Sequence, residues 1–314
     1  MADHQELFHY TKRAGLEGML TTNTIWATYV GDLEDRQEVV LLGPELISAV
    51  GDRLADEQTR LNPSNRRLWE KLELVQKFPK IFVDSLYEAS FSANFLHKKA
   101  DAFVTSFSTH VLDCPSAREH GIASQWHNYA GPGGFCIVFD TRGLCAHLAK
   151  EQKQRHWVTL KISPVRYYNQ PMPRMFPELI AVAVETLQKW LQHQQITDVG
   201  VRDFLEGATL FKGARFVEER EVRIAGITGS KAAFDAASPA YRAQTADRTY
   251  PELHRGPPRH ITLFANLNLR LPINRVIVGP SSDQDEAAAF VRALRDDVPI
   301  VYSRCPLEPP VAPL

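Results

Sequence analysis

The segment Phe216-Val217-Glu218-Glu219-Arg220-Glu221-Val222-Arg223-Ile224 sets three carboxylates and two guanidiniums into a run that otherwise has the apolar character of a buried strand. Side chains on a strand alternate faces, so Glu219, Glu221 and Arg223 are expected on one side, with Val222 and Ile224 on the other. Two like charges beside an arginine suit a cleft that holds an acid/base pair or a carboxylate stabilising a cation. The alternative is a solvated edge strand with an internal Glu/Arg pair.

Three other constellations have residue types that do chemistry. His9 and Thr11 alternate onto one face of a first strand, Leu7 to Tyr10, where an imidazole and a hydroxyl grip a polar ligand. A capping threonine beside a core histidine is the plainer reading. Ser106-Phe107-Ser108 ends a strand with hydroxyls around an aromatic ring, suited to ribose or amide contacts, although serines at strand ends are also ordinary turn formers. Trp126 and Tyr129 lie three apart, so on an α-helix they share a face on which a flat heterocycle stacks; otherwise they are a core pair. Trp26 and Tyr29 read as core aromatics.

Several chemistries find no support. Gly131 to Gly134 follows a helix and opens a strand, the reverse of a nucleotide-binding glycine loop, and no Lys-Ser/Thr pair accompanies it. No Gly-x-Ser-x-Gly elbow is present. The four cysteines, at 114, 136, 145 and 305, form no close pair of metal-ligand type, so no metal is expected.

These groups need elements to hold them. The chain has 314 residues and 44% hydrophobic content, enough for a full core. Lysine plus arginine, 36, nearly equals aspartate plus glutamate, 37, so no global field draws the chain to nucleic acid or an anionic membrane. No signal-peptide pattern and no apolar run of about 20 residues is found, so a soluble, cytoplasmic protein with reduced cysteines and no membrane partner is expected.

The periodicity predicts a helix over about Lys12 to Leu20, a strand at Thr24 to Tyr29 and an all-helical insertion over about 43–100, with breaks at Asn62-Pro63 and Pro79. A strand at Ala102 to Ser108, a helix near Ser116 to Tyr129 and a strand at Phe135 to Asp140 follow. Next come a strand over Val158 to Tyr168, helices at about Phe176 to His193 and Val199 to Lys212, and then the glutamate strand. A basic connection at about 227–260, carrying Lys231, Arg242, Arg248, Arg255 and Arg259, reads as a functional loop, a lid or a partly disordered stretch. The chain closes with a strand at Asn274 to Val278, a helix over Gln284 to Leu294, a strand at Pro299 to Tyr302 and a Pro-rich tail at 306–314.

Taken in order, Leu7-Phe8-His9-Tyr10-Thr11, Ser106-Phe107-Ser108, Trp126-x-x-Tyr129-Ala130, Gly134 to Asp140, and Lys212 with Glu219-x-Glu221-x-Arg223 resemble a bacterial family of unknown function, over about Leu7 to Gly279. Phe216 departs from it, since that family tends to show tryptophan there. The same order resembles the ADP-ribosyltransferase fold of toxins and poly-ADP-ribose polymerases. The resemblance implies an α+β fold, with a split mixed/antiparallel β-sheet core, helices and a helical insertion, in one domain over 1–305.

It also implies NAD as substrate. His9 with Thr11 would hold the adenosine ribose and a nearby amide, and backbone near Tyr10 would read the nicotinamide amide. Ser106-Phe107-Ser108 would be the second-strand motif, with Phe107 where the polymerase pattern has tyrosine. Tyr129, with Trp126 near it, would stack on nicotinamide, Glu221 would be the catalytic glutamate, and Glu219 would complete a Glu-x-Glu pair.

The chemistry suits the residues. Breaking the nicotinamide–ribose bond generates positive charge on the sugar, which a fixed carboxylate stabilises most in the transition state. Glu221 is therefore expected on the ribose hydroxyl and the developing cation, Glu219 on the acceptor, and Arg223 on the carboxylates or a phosphate. Glu221→Gln is expected to abolish turnover with little loss of stability. The acceptor would be a macromolecule, protein or nucleic acid, with a toxin or phage-defence setting suggested by analogy. Water as acceptor would give an NAD glycohydrolase. A non-catalytic, antitoxin-like binding module of the same fold, and a metal-dependent nuclease using Glu219 and Glu221, remain open.

Overall fold

The computed structural model describes residues 5–33, 37–91, 100–110, 114–168, 172–193, 200–229, 234–235, 238–281 and 283–306. The expectations for Lys231, for 92–99 of the insertion and for the tail beyond residue 306 lie outside the described residues.

The fold is α+β, built on a mixed, mostly antiparallel sheet of ten strands. Its centre is β3 (Ala100–Ser108), an apolar run long enough to carry neighbours on both edges. Along one edge it pairs with β8 (Glu221–Gly229) over its whole length, from Ala100↔Gly229 to Ser108↔Glu221, and β5 (Thr159–Pro164) extends β8 outward. The opposite edge is shared. β1 (Glu6–Thr11) meets β3 at Ser108, and β2 (Ile25–Tyr29) meets it at Phe103 and Val104.

Between those contacts the sheet forks. Thr105, Ser106 and Phe107 keep a strand partner on the β8 side alone. One wing runs from β1 to β4 (Phe135–Asp140), β11 (Ile273–Val278) and the parallel β12 (Ile300–Tyr302). The other runs from β2 to β10 (His260–Leu263) and β9 (Leu253–His254). A second, two-stranded sheet joins β6 (Arg166–Tyr168) to β7 (Phe211–Gly213).

Strand alternation sorts the core. Leu7, Ile25, Ala27, Tyr29, Phe103, Phe107, Ile137, Phe139, Val222 and Ile224 share one face, covered by helices Arg13–Thr22, Thr141–Gln154 and Gln284–Leu294. The other face carries two separate clusters. One seats helices Gln37–Arg60, Leu74–Phe91, Pro177–His193 and Val201–Leu210 on Val104, Ala225 and Ile227. The second gathers Phe8, Tyr10, Trp126, Cys136, Val138 and Ile277. The gap between them lies over the fork.

Several sequence expectations change. The helical region begins at Gln37 rather than 43, and its second break fails, because Pro79 lies inside helix Leu74–Phe91. One missing backbone bond costs about 3 kcal/mol. Phe78, Phe82, Val83 and Leu86 are buried on the same helix, each contributing roughly 1.5–3 kcal/mol, so burial wins. Helix Thr141–Gln154 has no counterpart in the sequence reading; Asp140 starts it by accepting from the Gly143 amide at 2.8 Å. Within 227–260, β8 continues to Gly229, helix Pro239–Gln244 forms, and Leu253–His254 pairs as β9 with the start of β10; most of the described remainder lies outside the sheet.

The glutamate segment changes most. Ala214–Glu219 is a 3-10 turn, and β8 starts only at Glu221. Arg220, between them, has φ 45°, a left-handed conformation that costs a non-glycine residue roughly 1–2 kcal/mol. Ser108 and Thr109 hold that turn: their hydroxyls donate to the carbonyls of Glu219 at 2.8 Å and Arg220 at 2.9 Å.

Candidate functional site

A cleft of about 410 Å³ lies over the fork. Its lining includes His9, Tyr10, Ser106, Phe107, Ser108, Tyr129, Glu219, Glu221 and Arg223, so nine of the residues singled out from sequence converge there. Thr11 and Trp126 do not line it.

His9 stands where β1 leaves β3. Its Nδ1 lies 2.9 Å from the Ser106 carbonyl, replacing a missing ladder bond. A carbonyl only accepts, so Nδ1 carries the proton. Burial pushes the imidazole below its ordinary pKa, against an opposing push from that carbonyl, so the ring is neutral at pH 7 and Nε2 keeps a lone pair. On the other wing, the Thr105 hydroxyl donates to the Trp26 carbonyl at 2.6 Å where β2 leaves β3. The Thr105 hydroxyl thus bridges the fork, while those of Ser108 and Thr109 hold the glutamate turn in place. Phe107 itself is 2% exposed and belongs to the core beneath.

Lys212 organises the charged end. It is 5% exposed, and its ammonium donates to Glu219 Oε2 at 2.7 Å and to Glu221 Oε2 at 2.8 Å. Arg223 grips Glu221 through Nε at 2.6 Å and Nη2 at 3.1 Å, and is itself anchored on the Thr209 carbonyl at 2.9 Å. The Tyr167 hydroxyl accepts from the Glu221 amide at 2.8 Å. Burial raises the Glu221 carboxyl, but the charges and hydrogen bonds of Arg223 and Lys212 outweigh it and hold the pKa at about 2. Two cations and two anions therefore share one buried network. Glu219 and Glu221 meet through a reversed turn and a common lysine, not through strand alternation as expected.

Tyr129 closes this end, donating from its hydroxyl to Glu219 Oε1 at 3.1 Å. Burial, and then the Glu219 carboxylate, push its phenol far above the ordinary value, so it stays a donor. The expected shared helical face with Trp126 is not formed, because residues 126–130 make a π turn in which Gly131 bonds back to Trp126. The wider turn puts a smaller rotation between successive residues, so positions three apart diverge. Tyr129 is left 43% exposed and Trp126 fully buried, its indole donating to the His120 carbonyl at 3.0 Å. A Cβ on Gly121, at φ 81°, would come within 2.5 Å of that indole nitrogen. Trp126 is therefore a core residue.

Tyr10 faces that same core with its ring. Its hydroxyl accepts from the Ile122 amide at 3.0 Å and lies 2.9 Å from His110 Nε2. Thr11 lies one residue before the N-cap of helix Arg13–Thr22, against Gly15; the N-cap is Lys12 and no side chain caps the helix, so the capping role of the plainer sequence reading is not formed.

Sequence reasoning also missed residues. Gln125, Thr28 and Trp26 line the cleft, and Trp26 is 61% exposed where a core aromatic was expected. Alternation held the signal: Ile25, Ala27 and Tyr29 pack on one face, so Trp26 and Thr28 must face the cleft side. Among the described residues, no group of three His, Cys, Asp or Glu side chains is placed to hold a metal ion. No described helix is long and apolar enough to cross a membrane.

No curated protein and no solved structure matches the chain. A family model described as a protein of unknown function, DUF2971, matches residues 125–224, a shorter span than the 7–279 expected from sequence. That span supplies the charged end of the cleft, from Gln125 and Tyr129 to Lys212, Glu219, Glu221 and Arg223, whereas His9, Trp26 and Ser106 lie outside it. The chain thus carries a domain of unknown function, DUF2971, at residues 125–224.

Proposed function

We propose that the cleft binds NAD and breaks its nicotinamide–ribose bond, in the manner of an ADP-ribosyltransferase. The observation that carries this reading is the convergence, at a fork in the sheet, of a neutral histidine, an exposed serine, a half-exposed tyrosine and a glutamate pair. His9 Nε2 accepts from a ribose hydroxyl. Tyr129 offers a ring to nicotinamide next to the carboxylates, and Glu221 supplies fixed negative charge as the sugar becomes cationic. Arg223 and Lys212 dilute that charge, yet they also hold the carboxylate still, so no reorganisation is needed during reaction. Glu219, nearer Tyr129, orients the acceptor, a protein or nucleic acid.

One observation favours a second reading, a binding module without turnover. Both glutamates are fully engaged by Lys212, Arg223 and Tyr129, as a structural polar core would be.

The test incubates purified protein with NAD, with and without cell lysate or RNA, and follows nicotinamide release by chromatography. Glu219→Gln and Tyr129→Phe, which disturb the buried ion network least, are expected to reduce release at least tenfold while keeping the circular dichroism of the wild type. Free ADP-ribose without labelled macromolecule indicates water as acceptor. No release under any condition rejects the cleavage reading and leaves the binding module.

A further inference from the structure

The charged end of the cleft accounts for one end of a dinucleotide, and the fork leaves a different surface at the other. Among the described residues, Trp26 stacks on a single ring, His260, with ring centroids 4.1 Å apart and planes 22° apart. His260 stacks in turn on His254, at 4.7 Å and 10°. The three rings stand side by side across β2, β10 and β9, held by the pairings Thr262↔Trp26 and His260↔His254. Beyond Trp26 the next strand would be β3, but β2 has already parted from it there, and a side-chain bond from Thr105 bridges the gap instead. The column therefore ends in an indole that lines the cleft and is 61% exposed.

The geometry points to Trp26 as the stacking platform for the adenine ring of a nucleotide lying across the fork. An indole and a purine are both fused bicyclic rings, so their overlap buries more surface than a single ring would, and stacking needs no hydrogen-bond reading of the base. Spacing agrees. The glutamates gather at Ser108, while Trp26 is tied to Thr105, three residues earlier, or about 10 Å along the strand. They also lie on opposite sides of β3, about 4.8 Å per strand spacing away. One dinucleotide bridges such a distance with a ring at each end; a mononucleotide does not. The His260 and His254 rings hold the indole upright, which lowers the entropy lost when a base docks. This inference rests on the nucleotide reading of the cleft, but it does not need the bond to be broken.

The test compares calorimetric binding of two halves of the dinucleotide to the full chain. ADP-ribose carries adenine without nicotinamide, and nicotinamide mononucleotide the reverse. Trp26→Ala is expected to weaken ADP-ribose and NAD binding by about tenfold to a hundredfold, and to leave nicotinamide mononucleotide unchanged. Trp26→Phe, which keeps an aromatic face, is expected to bind ADP-ribose within a few-fold of wild type. Loss of ADP-ribose binding in Trp26→Ala, in a protein that releases no nicotinamide, would sustain this inference and reject the cleavage reading. Three outcomes overturn the inference: wild type that does not bind ADP-ribose, unchanged ADP-ribose affinity in Trp26→Ala, or an equal loss for both halves. A single-stranded oligonucleotide that binds through Trp26 while ADP-ribose does not would also overturn it and give the platform to an acceptor.

Discussion

Glu221→Gln takes one anion from between two buried cations. Glu221 is 6% exposed and accepts three charge-assisted hydrogen bonds, from Arg223 at 2.6 and 3.1 Å and from Lys212 at 2.8 Å. Its carboxyl falls from 4.5 to about 2, which corresponds to on the order of 3 kcal/mol of stability at neutral pH. Removing one partner of a buried ion pair costs about 3–5 kcal/mol, in agreement. The variant expected from sequence to lose turnover with little loss of stability is therefore expected to lose both. The sign with pH follows from the folded value lying below the unfolded one. The contribution is full above about pH 4.5 and is lost as pH falls through about 2. Urea unfolding followed by circular dichroism at pH 7 and pH 3.5 tests this. Wild type should exceed Glu221→Gln by on the order of 3 kcal/mol at pH 7, and by roughly 1 kcal/mol less at pH 3.5. Titrating groups outside the Lys212 network cancel in the difference. Equal stability at pH 7, or a gap that does not shrink on acidification, would refute the ion-paired assignment of Glu221.

Arg220, at φ 45°, is expected to tolerate glycine with a change within about 1 kcal/mol, whereas Arg220→Val should cost roughly 2 kcal/mol and displace both glutamates; urea midpoints separate the two. Burial pushes His110 down to about 4, so the unfolded chain takes up its proton first. Stability is then full above about pH 6.5 and declines towards pH 4, and a thermal midpoint series should show His110→Gln flattening that decline. Thr105→Val removes the bond that ties β2 to the fork, and is expected to cost about 1 kcal/mol and to weaken ADP-ribose binding, read by urea unfolding and calorimetry.

Period-two and period-three-to-four patterns were enough to find most strands and helices, because each strand places alternate residues on a face covered by a continuous core. β1, β2, β3 and β4 agree with their predicted positions to within two residues. Short β9 and β10 had little periodicity of their own and formed because β2 offered an open edge. The break at Pro79 was misread because the burial that outweighs proline comes from neighbouring helices rather than from local sequence.

For the candidate site, residue types determined the inventory. His9, the Ser106-Phe107-Ser108 segment, Tyr129 and the Glu219/Glu221/Arg223 cluster were legible, since polar groups inside apolar elements need partners wherever they end up. Arrangement was decided only by tertiary structure. A π turn sent Trp126 inward and Tyr129 outward, a left-handed Arg220 held by Ser108 and Thr109 brought two glutamates onto one lysine, and the fork left one face of Trp26 open. Each depends on contacts between residues roughly 80 to 110 positions apart in the chain, or on a single backbone angle, and local pattern specifies neither.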